Sequence, residues 1–362
     1  MALLTEPQLS GRGKREDLMD MIALVDAKDT PFTSMARKGS KPGNMYFRWQ
    51  ADSLPAPQAG GTIDGTDVTT YSNYVDGYRK ELGNYAQIFR RVVRVSKLTQ
   101  DIADVAGIRD ELADNVAKGI TGLKRDMETT FTSNQLGQPD TGSAPYLTAG
   151  VQRWIGGATV GTGLPTLDTT DKTPSFVTPA DSIVGSGQAL SGTTLTDAIV
   201  QGLLKSVFSQ TGQYKSFDCI VGVDLKRAFT NLLGTTALTT VSNATNTLAA
   251  GATKVQTFQR DAGADTFIQS LDVFQGDFGT VRLHPTVFMN TVTYSGNTGT
   301  LVNTPYKGLV LDMNLLEVRY GGNVANVTAL PDFGAGPARL IEAVAGLVVG
   351  NPLGLGKFDF SS

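Results

Sequence analysis

Apolar residues at Ile108, Leu112, Val116, Ile120, Leu123, Met127 and Phe131 recur in steps of four, four, four, three, four and four. That spacing holds one face of a 3.6-residue helix, and the residues between are mostly Arg, Asp, Glu and Lys. The pattern predicts an amphipathic helix over 108–133, running roughly 39 Å at about 1.5 Å per residue. A shorter stretch, 16–28, places Leu18, Met21, Ile22 and Val25 on one face, with Asp17 and Asp20 near its positive N-terminal end. It is too short to be stable alone and must dock on something. Pro31 is expected to stop it.

Period-two patterns occupy the stretch between these helices. Over 45–51, Met45, Phe47 and Trp49 alternate with Tyr46, Arg48 and Gln50, and 85–95 (YAQIFRRVVRV) is a second β-rich run. The polar excursion joining them carries Pro55, Pro57, Gly60, Gly61, Gly65 and Tyr71, Tyr74 and Tyr78. The expectation is an extended hairpin over 41–98 whose apolar side chains are covered by another lobe or another chain, since an isolated hairpin is marginal in water. Arg90, Arg91, Arg94 and Lys97 invite a phosphate-binding reading, but they have few neighbouring aromatics. Pairing with carboxylates of a neighbouring subunit is the more economical expectation.

Residues 134–194 are rich in Gly, Thr, Ser and Pro around a bulky anchor, Val151-Gln152-Arg153-Trp154-Ile155, and read as ordered loops with short strands. From Thr194 the pattern is more regular. A helix holding Ile199, Leu203, Val207 and Phe208 should close at Gly212, followed by a buried strand over 217–223 and a helix over 225–233 capped by Asp224. Cys219 reads as a buried strand residue. Residues 235–254 lean toward strand, and 271–283 form a hairpin around Gln275-Gly276-Asp277-Phe278-Gly279. The tail, 339–358, is strand-like and then turn-rich.

Composition narrows the function classes. A net charge of −3 with 18% charged residues argues against a dedicated nucleic-acid binder. One Cys and one His, His284, leave no disulfide framework, no typical zinc site and no obvious nucleophile and base pair. No catalytic serine, zinc-protease or dinucleotide fingerprint occurs, and Gly356-Lys357 is followed by Phe358 where a phosphate loop needs Ser or Thr. The start of the chain has no signal-peptide core, and the longest apolar run, 343–349, is far short of the ~20 residues of a membrane span. A cytosol-like compartment, no cofactor, no metal, no membrane contact and no catalysis are the expectations.

The order of parts resembles the HK97-like major capsid fold, an α+β architecture. The chain is most similar to SU10-type major head proteins of tailed bacteriophages in Arg15-Glu16-Asp17-Leu18, 22–28 (IALVDAK), Thr30-Pro31-Phe32 and 47–52 (FRWQAD). The likeness continues in 150–155 (GVQRWI), 221–228 (VGVDLKRA) and Asp277-Phe278-Gly279. The resemblance implies an N-terminal arm over 1–40 and an extended E-loop hairpin over 41–98. It implies a P-domain over 99–194 with its spine helix at 108–133, an A-domain over 195–335, and a return to the P-domain and a C-terminal tail over 336–362. The glycine-rich stretch 346–356 departs from the family pattern.

The function implied is a major capsid protein that self-assembles into hexamers and pentamers of an icosahedral or prolate shell around double-stranded DNA. The shell would be built in the host cytoplasm with a portal protein, separate scaffolding or decoration proteins, and weak, sequence-independent DNA contacts. Tyr46, Phe47, Trp49, Phe89, Arg90, Arg91 and Arg94 are the expected inter-subunit contacts. An encapsulin-like compartment shell and a β-rich phage tail or adhesin protein are the alternatives.

Overall fold

The computed structural model describes residues 26–52, 57, 59–68, 80–102, 110–155, 178–190, 195–232, 271–295, 298–332 and 334–362. In chain order it opens with helix α1 (Pro31–Met35), strands β1 (Arg37–Gly39), β2 (Tyr46–Ala51), β3 (Lys80–Tyr85) and β4 (Gln87–Arg94), and helix α2 (Lys97–Ile102). Pro31 begins a helix where the sequence reading had it stopping one, and Asp26 to Thr30 are not helical. Proline suits the first helical position, where its missing N–H has no partner to lose. The rest of the 16–28 pattern lies outside the described residues.

The long helix is α3 (Glu111–Thr132), starting at Asp110, whose carboxylate accepts from the N–H groups of Leu112 and Ala113 at 2.9 and 3.1 Å. Leu112, Leu123, Met127 and Phe131 of the apolar stripe are buried. Next come α4 (Val151–Trp154), β5 (Ile183–Val184), α5 (Asp197–Thr211), β6 (Lys215–Val221) and α6 (Val223–Leu232). Helix α5 closes at Gly212, which takes the left-handed φ of +65° that glycine adopts without strain. Asp224 lies inside the first turn of α6, where its charge suits the helix dipole, and is not its cap. Residues 235–254 lie outside the described residues.

The chain ends with β7 (Val273–Gly276), β8 (Gly279–Pro285), β9 (Asn290–Ser295), β10 (Thr298–Asn303), β11 (Lys307–Leu311), β12 (Leu316–Tyr320), β13 (Asn326–Leu330), β14 (Ala338–Val349) and β15 (Gly356–Asp359). Strands β7 and β8 pair through Gly276↔Gly279, so the turn is only Asp277-Phe278.

Two sheets organise the packing. In the five-stranded sheet β14 is central: β4 flanks one edge over 338–345, while β13 and then β12 share the other, and β1 runs parallel to β12. The run 343–349 is apolar because every residue of it is buried except Val344, which is half-buried. Helix α3 lies across β4 and β14, close enough that a Cβ on Gly119 would meet the Ile341 side chain. The six-stranded sheet runs β5-β15-β11-β6-β8-β7. Phe217, Cys219, Val221, Val281, Leu283, Val310 and Phe358 on one face share a core with Leu203, Val207, Leu225 and Phe229 of α5 and α6.

The sheets interleave parts that are separate in sequence. Residues 316–330 belong to the five-stranded sheet, and 356–359 to the six-stranded one. The 85–95 run breaks at Ala86, so that β2 pairs with β3 (Tyr46↔Tyr85 to Ala51↔Lys80) and β4 turns away to pair with β14. His284 on β8 sits with Nε2 3.0 Å from Asp218 Oδ1 on the adjacent β6. Cys219 is fully buried, and burial pushes its thiol up.

Candidate assembly surface

The stem of the hairpin is held by its own protomer. Asn84 on β3 is fully buried; its Nδ2 donates to the carbonyls of Leu347 (2.8 Å) and Ala149 (3.2 Å), and its Oδ1 accepts from the Ala149 N–H at 2.9 Å. Trp49 Nε1 donates to the Val349 carbonyl at 2.9 Å, and its ring lies 5.5 Å from Trp154. Phe47 is 5% exposed and packs so tightly over β14 that a Cβ on Gly346 would lie 2.6 Å from its ring. This use of glycine explains the departure seen at 346: the aromatic needs the missing side chain. The Tyr46 and Tyr85 rings lie 4.8 Å apart, tilted by 49°, and burial, then the Tyr85 neighbour, push the Tyr46 hydroxyl up to about 12.

These residues make the following contacts within the protomer. Phe47 and Phe89 are buried in their own chain, Phe89 edge-on to Phe131 at 5.9 Å, and have little surface left for a neighbour. Trp49 packs against the same core. Arg90 is ion-paired with Glu342 at 2.7 Å, and Arg91 grips Asp126 on α3 through two bonds of 2.7 Å. Within the protomer the carboxylates that meet these arginines come from β14 and α3, brought close by folding. Being exposed, each pair contributes no more than about 1 kcal/mol. Arg94 is exposed.

What faces outward is the alternate set on the same strand. Residues directly opposite in a sheet share a face, so Ile88, Arg90, Val92 and Arg94 line up beside Val344, Glu342, Leu340 and Ala338 of β14. Ile88 is 51% and Val92 59% exposed. At the far end of the hairpin, Ile63 and Val68 are the most exposed large apolar side chains among the described residues, and they bracket Asp64 and Asp67. An apolar face dotted with arginine and an apolar tip dotted with aspartate thus occur in one chain. The alternation of 88–94 carried this signal, but both faces of β4 hold apolar residues and arginine, so period two alone does not say which is covered.

The arm is fixed by a different device. Glu128 on α3 is fully buried, and its two oxygens accept from the backbone N–H groups of Phe32 and Thr33, both at 2.8 Å. A carboxylate thereby caps α1 and ties residues 31–35 to the long helix. Burial raises this carboxyl above its usual range, against the pull of those hydrogen bonds. Among the described residues no group of three or more His, Cys, Asp and Glu side chains is placed to hold a metal ion, and no helix is long and apolar enough to cross a membrane.

Residues 5–360 match the SU10 major capsid protein family. The chain belongs to that family. It is 32% identical over 145 residues to the major capsid protein of Escherichia phage Phieco32, a match spanning 38% of this chain and 37% of that protein. Two solved structures share the fold at low identity. The capsid asymmetric unit of cyanophage A-1(L) has a TM-score of 0.64 at 12% identity, covering 99% of both chains. That of cyanophage Pam1 has a TM-score of 0.55 at 11% identity, covering 99% of this chain and 98% of that one. The fold of this SU10 family member is the α+β, HK97-like capsid fold that the order of sequence parts implied. The family is one of structural capsid proteins, not an enzyme class.

Proposed function

We propose that copies of this chain tile into hexamers and pentamers of a closed icosahedral or prolate phage shell enclosing double-stranded DNA, with the tip of each hairpin laid on the β4–β14 face of a neighbour. Family membership supports the shell, and the matched characters of the two exposed patches support the contact. Ile63 and Val68 would lose water against Ile88 and Val92, and Asp64 and Asp67 would meet Arg90 and Arg94. In this reading 1–40 is the arm, 41–98 the E-loop, 99–194 and 336–362 the P-domain with its tail, and 195–335 the A-domain. The sheet partners argue for moving 316–330 to the P-domain and 356–359 to the A-domain.

The mildly acidic net charge suits a shell that holds DNA weakly and without sequence specificity. Assembly would take place in the host cytoplasm around a portal, with a separate scaffolding protein and, where present, a decoration protein. The test is negative-stain electron microscopy of the protein purified after expression alone and after co-expression with a scaffolding protein. Hexameric capsomers or closed shells are expected; discrete monomers under both conditions would overturn the reading.

A further inference from the structure

Strands β9 and β10 form a ribbon outside both main sheets, paired without a break from Asn290↔Asn303 to Ser295↔Thr298. One edge of this ribbon is tied down. Asn134, just past the end of α3, accepts the Val292 N–H on its Oδ1 at 2.6 Å, and Gln152 of α4 donates to the Asn290 carbonyl at 3.2 Å. The backbone groups of Val292 and Asn290 therefore point away from β10, and in an antiparallel pair the residues directly opposite point away as well. On β10 these are Leu301 and Asn303, with Gly299 next in the same row. Among the described residues nothing hydrogen-bonds their outward N–H and C=O groups.

The usual protections of a free edge, a charge, a proline, a bulge or a covering element, are missing from this one. Residues 286–306 hold no charged side chain and no His, β10 has no proline, and its register with β9 has no bulge. Both faces of β10 are open: Gly299 to Asn303 are all exposed, Leu301 at 57% and Val302 at 45%. We propose that β10 pairs antiparallel with β10 of a second copy about a two-fold axis through Leu301, joining the two ribbons into one four-stranded sheet. A row of outward amides and carbonyls is satisfied by another extended edge, and here the edge fits its own image. With Leu301 opposite Leu301, Gly299 of each copy faces Asn303 of the other, so all three outward residues fall in hydrogen-bonded pairs and about six bonds form. An uncharged strand meets its own copy without like-charge repulsion, and Leu301 and Val302 lose water on pairing. The contact goes beyond the tip docking, uses a different surface, and needs no closed shell.

Disulfide trapping in the full-length protein tests it, since a pairing this small is weak on its own. Leu301→Cys puts two thiols on opposed residues whose Cα atoms lie about 5.5 Å apart, inside disulfide range. Asn303→Cys puts them four residues out of register, roughly 14 Å apart. Both positions are exposed, and the native Cys219 is fully buried and supplies no competing thiol. On mild oxidation Leu301→Cys should give several-fold more reductant-sensitive covalent dimer than Asn303→Cys, whether or not shells form. Equal yields would overturn the proposal even in a preparation that assembles shells. Hydrogen exchange on the unsubstituted protein provides a second reading. The amides of Gly299, Leu301 and Asn303 should gain protection as protein concentration rises, and lose that gain in Leu301→Lys, which sets two like charges across the axis. Protection that does not depend on concentration, or that survives Leu301→Lys, would also overturn it.

Discussion

Glu128 shows how much can depend on one side chain, because its carboxylate is both the cap of α1 and a buried charge. Glu128→Ala removes the acceptors of two backbone N–H groups in a site that water does not reach, and should cost about 3 kcal/mol in chemical denaturation. Its pH behaviour has a definite sign. Burial holds the folded carboxyl above its unfolded value, so between the two values the folded state binds more protons. The contribution is therefore fully present below the unfolded value and is lost as pH rises through the folded one. Wild type should gain stability relative to Glu128→Gln as pH falls toward the ordinary glutamate range, and denaturation midpoints of the two proteins over that range would show it. Asp359 behaves oppositely. Burial alone would raise it, but Lys357 and Lys307 outweigh burial and hold it below the usual carboxylate range, so its stabilisation is lost in acid.

At the scale of elements, the hairpin stem is positioned by hydrogen bonds that join it to β14 of the five-stranded sheet as well as by its own two strands. Asn84→Ala leaves the Ala149 N–H and the Leu347 carbonyl without these partners, and should lower stability by about 2 kcal/mol. Trp49→Ala should cost about 3 kcal/mol through lost packing on Trp154 and the core. Both losses should appear in the isolated protomer by urea titration, because both contacts are within it. Elements such as these were only partly legible in the sequence. The 108–133 stripe, the α5 stop at Gly212 and the buried β6 were readable because period, cap and burial agree locally. The pairing of β4 with β14 was not, since Arg91↔Ile341 are 250 residues apart and nothing local distinguishes a hairpin partner from a distant one. Asn84 was unreadable for the same reason: its four partners are backbone atoms, which carry no sequence signal.

For the whole molecule, the question is how a protomer that buries its own aromatics can still recognise its neighbours. In the proposed docking, the exposed tip and the exposed β4 face supply two separable terms, apolar burial and charge, and the two respond differently to salt. Val92 is 59% exposed, so Val92→Asp should leave protomer stability within about 0.5 kcal/mol of wild type. It would nonetheless place a desolvated charge against Ile63 and Val68 and a like charge against Asp64 and Asp67. Capsomer formation by sedimentation velocity should fall sharply, and added salt should not restore it, because screening removes repulsion but not the cost of burying the carboxylate. Arg94→Glu tests the charge term alone. It should weaken assembly at low ionic strength and recover as salt shortens the screening length toward about 3 Å at 1 M. Combining Arg94→Glu with Asp67→Arg reverses the pair, and should return assembly at low salt toward wild type. Assembly of all three proteins at the wild-type level would mean that the tip docks elsewhere, whereas protomers unfolded in urea at lower concentration would point to a role within the chain.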